Sequence, residues 1–210
     1  NRAFCNCYKI KSITLPDVLQ EIGYQTFAGC ESITEITIPE SLKEIKGYSF
    51  EACEKLQTIY FNAIDCVTKD RVNTPFRDIG HPVKVVCGDK VENINDFMFA
   101  YSDLGEIELK SVKRIKYGAF EGCHDLKYIM ITKSVIEVEC HAFGFAYNLE
   151  TIEVDSENPV YDSRGYCNAI IETETNTLIR GCKNTIIPNS VETLGKNSFY
   201  GCKKLKSIVI

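Results

Sequence analysis

The sequence of 210 residues contains no tryptophan, only two methionines and three histidines. No stretch approaches the ~20 consecutive apolar residues that a membrane-spanning helix needs, so we expect no membrane span. The net charge is −5, and no stripe of lysine or arginine offsets it. Because binding of a phosphate backbone depends on clustered cations, nucleic acid is not an expected partner.

Short motifs that carry catalysis or bind metals are also absent. The sequence has no C-x-x-C pair, no H-x-x-x-H, no G-x-S-x-G and no glycine-rich phosphate loop. Its three histidines stand at unrelated positions and are interpreted as surface turn residues: His81, His124 and His141. Asp155, Glu157 and Asp162 crowd one stretch without the spacing of a calcium loop, so solvated turn carboxylates are favoured over a calcium site. We therefore expect neither an enzyme nor a bound cofactor.

What the sequence has instead is a period. Phenylalanine recurs at a spacing of 23 residues in four of seven intervals: Phe4, Phe27, Phe50, Phe76, Phe99, Phe120, Phe143 and Phe199. Aligned on Phe27, the unit reads F-x-x-C-x-x-I-x-x-I-x-I-P-x-x-L-x-x-I through Ile45. A fixed period in this range predicts a solenoid of about nine stacked coils of ~23 residues. We expect one such domain over residues 1–210.

The pattern inside each unit predicts its local structure. Ile36-Thr37-Ile38 alternates as a strand does, Pro39 ends it, and the following V/L-x-x-I favours a second short extended piece. The G-x-x-x-F-x-G-C stretch suits a tight helical turn closed by the phenylalanine. Roughly seven inward side chains per coil, each worth ~1.5 to 3 kcal/mol, cannot offset the ordering cost of a lone coil. Coils must therefore stack, and their parallel strands should form a continuous sheet on the concave face.

Two stretches depart from the period. Residues 62–88 are interpreted as a degenerate coil, in which Pro82 replaces the usual aliphatic residue, and residues 155–187 as an insertion. Inside the insertion, the runs Ala169-Ile-Ile-Glu172 and Thr177-Leu-Ile-Arg180 flank a four-residue turn and predict a β-hairpin. A structural role is favoured for this hairpin, and ligand contact is the alternative.

Eleven cysteines would fit a disulfide framework in a secreted protein. Five of them share one register, three residues after the phenylalanine: Cys7, Cys30, Cys53, Cys123 and Cys202. Ser102 and Ala146 fill the same position in other units, so the position requires a small side chain rather than a bond. We favour reduced, buried thiols, and Cys30 with Cys53 is the pair to check for the disulfide alternative.

The unit from Ile36 to Cys53 resembles the repeat I-x-I-P-x-x-V-x-x-I-G-x-x-A-F-x-x-C of the BspA-like, Treponema pallidum-type leucine-rich repeat family, and the resemblance covers almost the whole chain. The segment from Asn158 to Thr173 is similar to an insertion in such proteins from gut and oral Bacteroidetes. The resemblance implies a right-handed, β-rich leucine-rich-repeat solenoid of the α/β superhelix class. It also implies a cell-surface or secreted protein associated with adhesion, although a fold does not fix a ligand.

If the strand face is the working surface, its outward positions lie eight and ten residues after each phenylalanine. We single out ten candidate ligand-binding residues on it: Glu35, Thr58, Tyr60, Lys84, Val86, Glu106, Glu108, Tyr128, Met130 and Glu153. The same rule also selects positions near the two ends: Ser12, Thr14, Ser207 and Val209. Aromatic and apolar anchors with a glutamate rim are typical of protein-binding patches, although tyrosine and valine also suit strands for their own sake. An acidic rim predicts a partner with lysine or arginine, bound more weakly in salt.

We therefore predict a non-enzymatic surface or secreted module that binds a host matrix protein, another cell-surface protein or a glycan through the concave sheet. The alternative is a structural spacer that presents another domain. The chain starts inside a coil at Asn1 and stops on a strand at Ile210, without the polar caps of solenoid ends. We expect it to be a fragment of a longer protein.

Overall fold

The strands of the solenoid come in two lengths, as the sequence pattern predicts. A computed structural model describes residues 1–205, which contain fifteen strands and one 3-10 helix at Arg164–Tyr166. The strands are β1 (Glu21–Ile22), β2 (Glu35–Ile38), β3 (Glu44–Ile45), β4 (Thr58–Phe61), β5 (Val83–Cys87), β6 (Asn93–Ile94), β7 (Leu104–Glu108), β8 (Arg114–Ile115), β9 (Tyr128–Ile131), β10 (Glu137–Val138), β11 (Thr151–Val154), β12 (Tyr161–Asp162), β13 (Ala169–Glu172), β14 (Thr177–Gly181) and β15 (Thr193–Leu194). Ser207 and Val209 lie outside the described residues.

The six long strands β2, β4, β5, β7, β9 and β11 follow one another from coil to coil on one side of the molecule. We call this side the long-strand face. Parallel pairing joins β2, β4, β5 and β7 in one sheet and β9 with β11 in a second. In β2 and β4 the side chains alternate between exposed or half-buried outward positions and fully buried inward ones, because successive residues of a strand point to opposite sides.

Two details of the predicted solenoid are wrong. Residues 1–205 make about six turns of regular solenoid rather than nine, because only six coils within them carry a long strand and the insertion leaves the parallel ladder for antiparallel pairing. The sheet is also interrupted between β7 and β9. The interruption follows a register shift between Val83 and Lys84, and it falls in the unit where Phe99 and Phe120 are only 21 residues apart.

The short strands form the opposite side of each coil. β1 pairs with β3, and β6, β8 and β10 form a three-stranded parallel sheet. In the degenerate coil the short strand is reduced to an isolated bridge between Glu44 and Val67. That coil is nevertheless a full member of the stack, because its β5 pairs with both β4 and β7.

The phenylalanine turns are not helical, in contrast to the expected tight helical turn. The second residue before and after the phenylalanine adopts a left-handed conformation, as Tyr48 (φ 52) and Ala52 (φ 52) do around Phe50. Every second N–H group then donates to the next coil, so that the Phe27 N–H bonds the Ser49 carbonyl at 2.9 Å. The intervening N–H groups bond the carbonyl three residues earlier. The turns thus form a backbone ladder of their own between coils.

The core is a column of phenylalanine rings. Seven rings stack in sequence with neighbouring centroids between 5.3 and 6.0 Å apart: Phe4, Phe27, Phe50, Phe76, Phe99, Phe120 and Phe143. All but Phe4, which is 44% exposed, are buried. The eighth, Phe199, leaves the column and packs on a second apolar cluster around Ile171 and Leu178.

The insertion packs against the coils of the solenoid and does not project from them as a separate loop. The predicted hairpin is confirmed, with β13 and β14 antiparallel and flanked by β12 and β15. Three consecutive residues of β13 are fully buried, Ala169, Ile170 and Ile171. Ile170 joins the main core and Ile171 the second cluster, so the hairpin has apolar neighbours on both sides.

The eleven cysteines are free thiols in the structure. Those in the repeated register lie against backbone, as expected of a small buried group. The Cys53 thiol donates to the Phe27 carbonyl at 3.3 Å, and the Cys123 thiol to the Phe99 carbonyl at 2.9 Å. Cys30, Cys53 and Cys123 therefore each join their coil to the preceding one by a hydrogen bond.

Candidate functional site

The structure aligns the predicted face residues in two rows across the strands. One row runs Glu35, Thr58, Lys84 and Glu106, and the other Thr37, Tyr60, Val86 and Glu108. In the second sheet, Tyr128 pairs with Thr151 and Met130 with Glu153. The face is thus divided into a larger group on β2 to β7 and a smaller group on β9 and β11.

The four predicted anchors differ in exposure. Tyr60 and Tyr128 are 38% and 43% exposed. Val86 and Met130 are half-buried. Because parallel strands lie ~4.8 Å apart, Tyr60 and Val86 are in adjacent positions and can present one continuous apolar surface. The sheet interruption separates this pair from Tyr128 and Met130.

Much of the expected acidic rim is neutralised within the molecule. The Lys84 ammonium lies 2.9 Å from a carboxylate oxygen of Glu106 and 2.5 Å from one of Glu108. The hydrogen bonds that Lys84 donates to Glu108 and Glu106 raise its pKa and keep it charged. Among the described residues, Glu35 and Glu153 form no ion pair. The negative character of the face is therefore concentrated at its two ends.

Tyr128 and Glu153 form a hydrogen-bonded pair across the second sheet. The Tyr128 hydroxyl donates to a Glu153 carboxylate oxygen at 2.9 Å. Partial burial and this hydrogen bond raise the pKa of Tyr128 to about 12, so the hydroxyl keeps its proton at neutral pH. The pair fixes one oxygen of the carboxylate and leaves the other available.

Each end of the long-strand face has a depression. At β2, a depression of about 740 Å³ is lined by the hydroxyl groups of Ser12 and Thr14 and by the carboxylates of Asp17 and Glu35. At β11, a depression of about 240 Å³ lies between the strand and the start of the insertion.

The depression at β11 is lined in part by residues of the insertion, which the 23-residue repeat could not predict as site residues. Its wall on the insertion side consists of Ser163, Tyr166 and Asn168. Tyr166 is 92% exposed, the most exposed of the large apolar side chains in the described residues. Outward positions are predicted eight and ten residues after each phenylalanine, and this spacing does not extend into the insertion. The sequence pattern therefore could not identify Tyr166 as a surface residue of the site.

The histidines and the insertion carboxylates do not assemble into a site. His124 stacks on Tyr147 with centroids 4.9 Å apart, and His141 lies against Tyr200 at 4.6 Å. The insertion carboxylates diverge, since Glu157 pairs with Lys133, Asp162 pairs with Arg164, and Asp155 accepts a backbone N–H. Residues 1–205 contain no group of three potential metal ligands.

Comparison with known families identifies the repeat. The model of the BspA type leucine rich repeat region matches residues 1–110, 72–172 and 171–210, in six copies. The chain belongs to the BspA type leucine-rich repeat family. Among curated proteins, no sequence matches this BspA type chain significantly.

Solved structures share the BspA type solenoid at low sequence identity. A leucine-rich repeat protein from Eubacterium ventriosum aligns with a TM-score of 0.62 and 22% identity, over 85% of this chain and 48% of the other. A leucine rich cell surface protein from Faecalibacterium prausnitzii gives 0.54 and 22%, over 90% and 58%. The pneumococcal vaccine antigen PcpA gives 0.56 and 17%, over 91% and 56%. The chain thus spans about half the length of the structures it matches. No helix in the described part is long and apolar enough to cross a bilayer.

Proposed function

We propose that this chain is a non-enzymatic binding module of a bacterial surface or secreted protein, and that it contacts its partner through the long-strand face. The observation that carries the proposal is the presence of an exposed tyrosine in each of the two sheets of this face, Tyr60 beside Val86 and Tyr128 beside Met130. Exposed aromatic side chains amid polar groups are typical of protein-binding surfaces.

The proposed location follows from the relatives. One matched structure is described as a cell surface protein and another as a vaccine antigen, a category that favours proteins exposed on the bacterium. A protein on the bacterial surface encounters host matrix proteins, other cells and glycans, and these are the partner classes that we propose for the long-strand face.

The test uses a panel of purified matrix proteins and an array of glycans, with the immobilised 210-residue chain. For any ligand that binds, we expect the double variant Tyr60→Ala/Tyr128→Ala to lose at least about thirtyfold in affinity, as hot-spot aromatics do. The matched control is Tyr8→Ala/Ile186→Ala, which removes two exposed side chains away from the face. Circular dichroism and thermal melting check that both variants are folded.

Unchanged binding by the face variant would overturn the proposal. In that case the second candidate, a spacer that holds another domain away from the cell, would be preferred. The spacer candidate is supported by the length of the matched structures, of which this chain covers about half, from 48% to 58%.

A further inference from the structure

The depression at β11 has the composition of a pocket for one side chain. It lies where the long-strand face meets the insertion, and its volume is about 240 Å³. The residues on which the inference depends are Met130, Glu153, Val154, Ser163, Tyr166 and Asn168. They come from two strands of the sheet and from the turn that opens the insertion, so the pocket exists only because the insertion is present.

The floor of the pocket is apolar, and its charge is negative. Met130 and Val154 are half-buried and offer methyl and thioether surface. Glu153 is exposed beside them and is held by the Tyr128 hydroxyl at 2.9 Å. No lysine or arginine lines the depression, and Glu153 has no ion pair among residues 1–205. By contrast, neighbouring Glu150 is bound by Lys183 at 2.6 Å.

The backbone of the aromatic wall is left-handed at Tyr166, which makes no hydrogen bond of the ladder between coils. Tyr166 has a φ of 54° and follows Gly165 with a φ of 64°. A left-handed conformation is unfavourable for a bulky residue, and such strain is concentrated at binding sites. The ring gains little in return, because the side chain is 92% exposed.

The turn that carries Tyr166 is held by hydrogen bonds of the neighbouring Arg164 side chain. The Arg164 guanidinium donates to both carboxylate oxygens of Asp162 at 2.8 and 2.6 Å, and to the Asn176 side chain at 2.8 Å. The Tyr166 N–H donates to the Ser163 carbonyl at 3.1 Å. These bonds fix the backbone that carries the exposed ring, so binding need not order the backbone of this turn.

We propose that this pocket receives a lysine or arginine side chain of a partner protein. The aliphatic stem lies along Met130 and Val154, the charged group meets the free oxygen of Glu153, and the Tyr166 ring provides a cation–π contact. The inference rests on the proposed function and narrows it, because it selects a protein with an exposed basic residue over a glycan. Glu153, unlike Glu106 and Glu108, forms no ion pair within the described residues, so its carboxylate is available to such a cation.

The test probe is a fluorescein-labelled decalysine peptide, with the fully acetylated peptide as its neutral counterpart, titrated against the 210-residue chain at low ionic strength. We expect Glu153→Gln to weaken binding about tenfold, as loss of a charge-assisted hydrogen bond does. Tyr166→Ala should weaken it about threefold through loss of the cation–π contact. Binding should also fall with added salt.

The matched control is Glu174→Gln, which makes the same charge change at an exposed residue of the hairpin turn. Equal weakening by Glu174→Gln and Glu153→Gln would mean non-specific attraction and overturn the inference. Binding of the acetylated peptide as tight as that of decalysine would also overturn it. A partner that responds to Tyr60→Ala but to neither Glu153→Gln nor Tyr166→Ala would refute the pocket and leave the proposed binding face intact.

Discussion

Burial raises the pKa of the cysteine thiols inside the coils. The pKa of Cys30 rises to about 11, and the pKa of Cys53, Cys66, Cys87 and Cys123 rises to about 12. Desolvation is the main cause, because a thiolate would lose its hydration without gaining a cation. Three of these thiols, Cys30, Cys53 and Cys123, also donate a hydrogen bond to a backbone carbonyl of the preceding coil.

The stability of the fold should therefore decrease in mild alkali. In the unfolded chain these thiols ionise near their ordinary pKa of 9.0, whereas the folded chain keeps them protonated. Above that pH the unfolded state binds fewer protons, so the free energy of unfolding falls, by about 1.4 kcal/mol per pH unit for each ionised thiol. The stabilisation by the protonated thiols is fully present below the thiol pKa of the unfolded chain. It is lost as the pH rises through the thiol pKa of the folded chain.

Urea unfolding under a reducing agent measures this loss over the pH unit above 9.0. We expect the double variant Cys53→Ser/Cys123→Ser to show a slope shallower by about 2 kcal/mol per pH unit, since two thiols no longer titrate. Serine is of similar size and is already present at this position as Ser102, whose hydroxyl is buried and donates to the Phe99 carbonyl of its own coil at 2.6 Å. Parallel slopes in the two proteins would contradict the prediction.

The position of a residue on the face could be predicted from the sequence, but its charge environment could not. Side chains alternate between the two sides of each strand, and one such strand recurs in each coil. The sequence alone therefore places Tyr60 and Tyr128 on the outward side of the sheet. The link from Lys84 to Glu106 and Glu108 joins two coils and depends on the register shift at Val83, which no sequence rule gives.

Among the elements, the start of the insertion is joined to the solenoid by four hydrogen bonds of one side chain, Asn158. The Asn158 amide donates to the Thr132 and Val135 carbonyls at 2.7 and 2.8 Å. Its oxygen accepts from the Val160 and Tyr161 N–H groups at 2.9 and 2.8 Å. One residue thus joins the preceding coil to β12, and water cannot easily replace four converging bonds.

Replacing this asparagine should loosen the insertion. We expect Asn158→Ala to cost about 3 kcal/mol of unfolding free energy in urea, because it leaves partly buried backbone groups without partners. The amides of Val160 and Tyr161 should lose their protection from hydrogen exchange first. Asn148→Ala is the matched control, since its partners are exposed to water, and it should cost less than about 1 kcal/mol. Equal costs for the two variants would rule out this role of Asn158.

The strands could be predicted more reliably than the turns. The alternating apolar residues of β2 and the hairpin of β13 and β14 follow from side-chain patterns that a sequence displays directly. The turns depend on left-handed residues such as Tyr48 and Phe97, whose side chains give no hint of that conformation. They adopt it because the backbone ladder between coils outweighs the local preference, which is a tertiary effect.

For the whole molecule, stability resides in contacts between neighbouring coils. The Phe50 ring lies between Phe27 at 5.4 Å and Phe76 at 5.5 Å, and it is fully buried. Phe4 has one stacking neighbour, Phe27 at 5.6 Å, and is 44% exposed. In a solenoid each coil contacts only the adjacent coils, so the effect of a substitution should be local.

Phe50→Ala should therefore lower the unfolding free energy by about 3 to 5 kcal/mol, as a cavity in a packed core does, and Phe4→Ala by less than about half of that. Hydrogen exchange should show protection lost in the coils of Phe27 and Phe76 but kept around Phe143, because the cavity removes contacts only from adjacent turns. Equal costs at Phe50 and Phe4 would mean that the stacked rings do not hold the coils together. Loss of protection as far as Phe143 would mean that the column unfolds as one cooperative unit and that binding at one end of the face is coupled to stability at the other.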